Sequence, residues 1–170
     1  ALYYNCGQKY EGFLDFASAR KMYETFLSFY PDHPLAKDVK SAYARLIVTE
    51  AGISGGQELT QLAVVGSTAS GMTEVVIKND SPHRLRIAFS GPDPQVRELE
   101  ACASCPVYTA LPAYCSGQAV TGSYMLVPGV YDIVIESTAD LELAPMTKNI
   151  NLLDGSQYST CVYIISQLTP

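Results

Sequence analysis

The sequence predicts an α+β protein: an N-terminal helical hairpin and a third helix, followed by a C-terminal antiparallel β-sandwich of about seven strands. Three observations carry this expectation. Up to Ala51 the apolar residues recur at intervals of three and four, which is the period of a helix with one buried face. From Thr73 onward they alternate with polar residues, the period of a strand with one buried face. Between the two lies a stretch rich in Gly, Ser and Thr, a composition that favours linkers. Residues 1–51 are therefore read as helical, 52–72 as a linker and 73–170 as the β domain, the two flanks packing as separate units.

The first helix has Tyr3, Cys6 and Tyr10 on one stripe, and the second has Phe16, Ala19, Tyr23, Phe26 and Tyr30. Gly12 separates them, and Asp15 stands where its carboxylate can accept from a first-turn N–H. Pro31 and Pro34 interrupt the pattern before Leu35, Val39, Ala42, Tyr43, Leu46 and Ile47 resume it as a third helix. The linker holds one apolar patch, "LAVV", suited to docking on a neighbouring surface. Among the strands, "TEVVIKN" and "RLRIAFS" flank "DSPH", "GSYML" and "YDIVIES" flank "VPG", and "TKNINL" and "QYSTCVYII" flank "LDGS". These read as three hairpin-like pairs, with "VRELEA" as the seventh strand.

Tyr3, Cys6, Gly7, Tyr10, Ala19, Tyr23 and Pro31 fall in the order and spacing of a tetratricopeptide repeat, which the first two helices resemble. "YETFLSFYPDHPLAKDVKSAYARL" is similar to the version of that repeat found in bacterial envelope assembly proteins, although Phe26 stands where the family has a small residue. The resemblance implies that the helices cross at Gly7 and Ala19, where a larger side chain would hold them apart. A lone repeat cannot cover its own faces. The helices are thus expected to end a longer array or to pack on the rest of the chain, with apolar edges on the first and third. A start at Ala1 without Met fits removal of a leader or of a larger N-terminal portion. In "VPGVYDIVIES", Tyr131, Ile133 and Ile135 point one way after Pro128 and Gly129. That stretch resembles the P-G-x-Y-x-V-x-V motif of carboxypeptidase-regulatory-like and PEGA-type sandwiches, and the resemblance implies a fold without assigning an active site.

The chain has five cysteines, four of them, Cys102, Cys105, Cys115 and Cys161, in the β half. Cys102-x-x-Cys105 supplies the first half of a zinc knuckle, but no second C-x-x-C follows and neither His33 nor His83 is near a cysteine in sequence. A redox pair would sit at a helix N-terminus, whereas this one precedes the proline-punctuated "PVYTALPAY". An even count in a small loop-bearing domain favours disulfides. Of the three pairings, Cys105 with Cys115 and Cys102 with Cys161 is preferred over the others because it closes a short loop and ties a strand end to the last strand. Cys6 is read as a small buried hydrophobe.

With 17 acidic against 11 basic residues the formal net charge is −6. That sign opposes binding to phosphate backbones or anionic lipid, so nucleic acid is not an expected partner. The apolar runs break well short of the roughly 20 residues that span a bilayer, and no membrane span is expected. His83 in "NDSPHRL", with Asp80 and Ser81, and His33 in "YPDHPLA" read as turn and helix-entry residues. Glu98, Glu100, Asp132, Glu136, Asp140 and Glu142 are spaced as solvated strand faces rather than as a catalytic pair or a calcium loop. No phosphate-binding glycine motif occurs, and no cofactor or metal is expected. Tyr108 and Tyr114 lie in the cysteine-bounded loop. Tyr offers large contact area at small entropy cost, so the two are candidates for a binding surface, the other reading being rings that cover the sheet edge.

These features lead to the expectation of a non-enzymatic extracytoplasmic adaptor that binds a protein or cell-envelope component and is compatible with homo-oligomers. A carbohydrate- or cell-wall-binding sandwich and a zinc-stabilised cytoplasmic regulatory module are the alternatives.

Overall fold

A computed structural model describes residues 1–138 and 143–165 of the chain. Three helices, α1 (Leu2–Gly12), α2 (Phe16–Phe29) and α3 (Ala36–Ile53), lead into nine strands. Asp15 caps α2, accepting from the Ser18 N–H at 3.1 Å, and Leu35 N–H donates to His33 Nδ1 at the entrance of α3. Gly7 is buried where α1 meets α2, and a Cβ there would overlap the ring of fully buried Tyr23. The close approach expected of small residues at this crossing is therefore present.

The strands are β1 (Gln57–Glu58), β2 (Ala63–Ser67), β3 (Thr73–Asp80), β4 (Leu85–Ser90), β5 (Gln95–Leu99), β6 (Val120–Leu126), β7 (Gly129–Ser137), β8 (Met146–Leu152) and β9 (Ser156–Tyr163). They form two sheets, one in the order β1-β8-β7-β4-β5 and one in the order β2-β9-β3-β6. Val75, Ile77, Leu126 and Tyr158 of the four-stranded sheet share a core with Ile87, Phe89, Tyr131, Ile133 and Ile135 of the five-stranded sheet. Tyr131 is fully buried, and its hydroxyl donates to the Val127 carbonyl while accepting from Asp93 N–H. This satisfies the polar tip that burial would otherwise leave unpaired.

Several expectations are corrected. Among the described residues nine strands, not about seven, divide between the sheets, and the β3–β9 and β1–β8 pairs are parallel, so the β half is mixed rather than antiparallel. None of the three expected hairpins forms. "DSPH", "VPG" and "LDGS" each carry the chain from one sheet to the other, because β3, β6 and β9 belong to one sheet and β4, β7 and β8 to the other. Period-2 alternation tells which face of a strand is buried, and that requirement is met equally by a hairpin partner or by a strand facing it across the core. The antiparallel sequence neighbours are instead β4 with β5 and β7 with β8. Residues 52–72, read as a linker, contribute β1 and β2, and of the region around "LAVV" it is Leu59 and Leu62 that reach the core while Val64 and Val65 stay exposed.

The helices do not stand apart from the strands. Val39, Ala42, Leu46 and Ile47 of α3 form one apolar cluster with Ala88 and Val134 on the outer face of the five-stranded sheet. The α3 edge expected to be open is thus covered. Around this contact Arg20 bonds Glu50 and Glu136, and Arg86 approaches Glu136, Glu24 and Glu98. Glu136, expected on a solvated face, keeps 16% of its side chain exposed. Burial raises its pKa, against the opposing pull of Arg20. Asp132 accepts from Asn149, and Glu98 and Glu100 pair with Arg84. Asp140 and Glu142 lie outside the described residues.

Candidate functional site

The loop between β5 and β6 is held on the outer face of the four-stranded sheet by a set of anchors that starts at the end of β3. Along β3 the buried positions alternate through Thr73, Val75, Ile77 and Asn79, and Asp80 then breaks the alternation by being buried on the opposite face. The cause is the loop itself, which folds over that face. Tyr108 OH and Ser116 Oγ donate to the two Asp80 carboxylate oxygens at 2.7 and 2.6 Å, and Ser116 N–H donates at 2.8 Å. Burial works to raise the Asp80 pKa, but these three donors, led by the Ser116 hydroxyl, outweigh it and hold the carboxyl below its ordinary range. The same contact raises the Tyr108 pKa, since the phenol hydrogen is held by an anion. Beneath this, Asn79 Nδ2 donates to the His83 and Glu100 carbonyls and Asn79 Oδ1 accepts from Ser81.

Cysteine pairing differs from the preferred one. Cys102 bonds Cys105, with Cα atoms 5.3 Å apart, and Cys115 bonds Cys161, with Cα atoms 5.8 Å apart. Cys161 lies opposite Lys78 on β3, and the next residue in that phase, Tyr163, lies opposite Asp80. Both therefore face the loop, so Cys161 is within reach of Cys115 at the loop's far end rather than of Cys102 at its beginning. Cys102 is fixed separately, its N–H donating to the Ser81 carbonyl. The four sulfurs thus form two separate pairs and not one tetrahedral set. Asp80, Cys115 and Cys161 bring ligand-type atoms within 4.8 Å of one another, but the two sulfurs are joined and the carboxylate is occupied by its three donors. Two cysteine pairs at disulfide distance point to an oxidising environment. Cys6 is a free thiol, half-buried rather than buried.

The two candidate tyrosines behave differently. Tyr108 is an anchor: its N–H donates to the Ile164 carbonyl, its ring meets Tyr163 edge-on at 6.1 Å, and its hydroxyl is held by Asp80. Tyr114 projects into solvent with 87% of its surface exposed, accompanied by Leu111 at 65% and Val107 at 46%. Asp80 is the member of the site that sequence reading missed, taken as a turn former. Its signal was the run Asn79-Asp80-Ser81, three polar residues where a strand ends, but nothing local names the loop that buries them.

A concavity of about 510 Å³ opens between the ends of the two sheets, with Leu59, His83, Leu85 and Ile135 on its wall. Among the described residues no helix is long and apolar enough to cross a membrane. The sequence matches no protein-family model and no curated protein.

Proposed function

We propose that this chain is a non-enzymatic adaptor working outside the cytoplasm, and that the loop spanning residues 102–115 binds a protein or cell-envelope component. One observation carries the reading. Val107, Leu111 and Tyr114 are all exposed on a loop that is anchored at its start by the Cys102 N–H bond to Ser81, at its end by the Cys115–Cys161 pair and between them by Tyr108. Ordering such a loop on binding would cost entropy, and a loop already ordered avoids most of that cost. Large exposed apolar side chains without a structural task mark contact surfaces. The resemblance of the helices to tetratricopeptide repeats of the bacterial envelope supports the compartment and the adaptor role, as do the oxidised cysteines. No observation favours a sugar-binding groove, because only one of the two loop tyrosines projects from the surface.

A photo-crosslinking amino acid at position 114, with position 121 on β6 as the exposed control, tests the binding reading in the native host. The expected result is one adduct at 114, absent at 121 and abolished by Leu111→Asp. Equal labelling at both positions would remove the loop from consideration. Alkylation of thiols before cell lysis tests the compartment: four protected cysteines are expected, and four reactive ones would place the protein in a reducing compartment.

A further inference from the structure

We infer that the cleft between α3 and the edge strand β5 binds an extended acidic peptide segment. The cleft has a volume of about 630 Å³, with Lys37 and Lys40 on one wall, Arg97 on the other, and Leu27, Val96 and Val127 contributing apolar surface. It lies on the helix–sheet seam, away from the cysteine-bounded loop, and is independent of the function proposed for that loop.

Charge is the first argument. In a chain of net charge −6, Arg20, Arg45, Arg84, Arg86 and Lys148 find carboxylates, while Lys9, Lys21 and Lys78 form no ion pair among the described residues and are not gathered around the cleft. Lys37, Lys40 and Arg97 form no ion pair among the described residues; Arg97 Nε donates to the Gln95 amide oxygen instead. The one acid on the cleft wall, Asp93, accepts from the Gln95 side chain. Three cations against one carboxylate leave the concavity with a net positive charge, which favours an anionic occupant.

Shape selects the kind of anion. A small inorganic ion would neutralise the lysines and leave the apolar surface of Leu27, Val96 and Val127 uncovered. Among the described strands β5 is the outermost of its sheet and pairs with β4 alone, so half of its backbone donors and acceptors point away from the sheet, as strand addition requires. Lys37 and Lys40 are three residues apart on α3, a spacing that puts their Cβ atoms roughly 5–6 Å apart. Alternate residues of an extended chain are separated by roughly 6.6 Å. Acidic residues at alternate positions can therefore meet the two lysines while the intervening apolar residues face the opposite wall.

The test is fluorescence anisotropy of the full chain with a labelled peptide, Gly-Asp-Leu-Glu-Val-Asp-Ser-Gly, against the same peptide with Asn and Gln for its acids. Saturable binding of the acidic peptide is expected, weakened by salt. Lys37→Glu with Lys40→Glu should weaken it ~10-fold or more, and Val127→Asp, on the other wall, should weaken it as well. Lys78→Glu and Tyr114→Ser should leave it unchanged, the second variant separating this cleft from the loop. All substituted residues except Lys40 and Lys37 lie off α3, and those two are exposed, so an unchanged melting temperature verifies the fold. Equal affinity for the neutral peptide, no binding of either, or an equal loss in Lys78→Glu would overturn the inference. Binding of an anionic polysaccharide such as heparin without binding of the peptide would overturn it too, in favour of a glycan.

Discussion

Removing the two cysteine pairs one at a time should destabilise the protein by very different amounts. The Cys115–Cys161 bridge has a sequence separation of 46 and the Cys102–Cys105 bridge one of 3. If a bridge acts by restricting the unfolded chain, these loop lengths correspond to about 4 kcal/mol for the long bridge and about 1.6 kcal/mol for the short one. Urea denaturation of the four single variants, Cys102→Ser, Cys105→Ser, Cys115→Ser and Cys161→Ser, is the assay, with an unchanged m value as the check that the unfolded states are comparable. The variants should fall into two groups: Cys115→Ser with Cys161→Ser, strongly destabilised, and Cys102→Ser with Cys105→Ser, mildly so. The double replacement Cys115→Ser/Cys161→Ser removes any effect of a stranded thiol and should match its two singles. Grouping matters more than scale. If Cys102→Ser behaves like Cys161→Ser, and Cys105→Ser like Cys115→Ser, the geometry described here is wrong and the pairing preferred from sequence spacing is right.

Two further outcomes are expected. Asp80→Asn replaces one acceptor oxygen by an amide N–H₂, which must face either Ser116 Oγ or the pair Tyr108 OH and Ser116 N–H, and should cost about 1–3 kcal/mol. Because the folded Asp80 carboxyl is held below its ordinary pKa, its contribution is complete above pH ~4 and is lost as the pH falls through the lower folded value. The difference in melting temperature between wild type and Asp80→Asn should accordingly shrink in acid, and a gap that persists or widens there would show that Asp80 acts through something other than its charge. Gly7→Ala places a methyl group in the ring of Tyr23, whose hydroxyl is held by Glu11. The helix-propensity gain of ~1 kcal/mol should be outweighed by an overpacking cost of ~1–3 kcal/mol, read as a lower melting temperature by circular dichroism; a stabilised variant would mean that α1 is free to shift.

The number and order of the helices were legible, because each carries its own signals: the Asp15 cap, the prolines after Tyr30 and an uninterrupted stripe. Strand existence was legible for the same reason. Strand partnership was not, since β3 and β4 satisfy the same alternation whether they pair or face each other. The polar outer face of the five-stranded sheet was also misread, as Glu136 looks solvated until α2 brings Arg20 over it. At the candidate site the count of four cysteines pointed to bridges, but their pairing depends on which face of β9 carries Cys161 and on where the loop lies, and both are tertiary facts.

The position of β9 bears on how the chain matures. It is the last in sequence of the nine strands among the described residues, yet it sits inside its sheet, between β2 and β3. A chain that emerges from its N-terminus therefore holds a gap in that sheet until residues 156–163 arrive, an interval on the order of seconds at ordinary synthesis rates. During that interval Cys102 and Cys105 are already neighbours, while Cys115 waits for a partner 46 positions away. Were the thiols oxidised in order of appearance, the near pair would close first and leave Cys115 a single remaining thiol in the β half until Cys161 arrives, a sequence that excludes the crossed bridges open to a refolding, fully reduced chain.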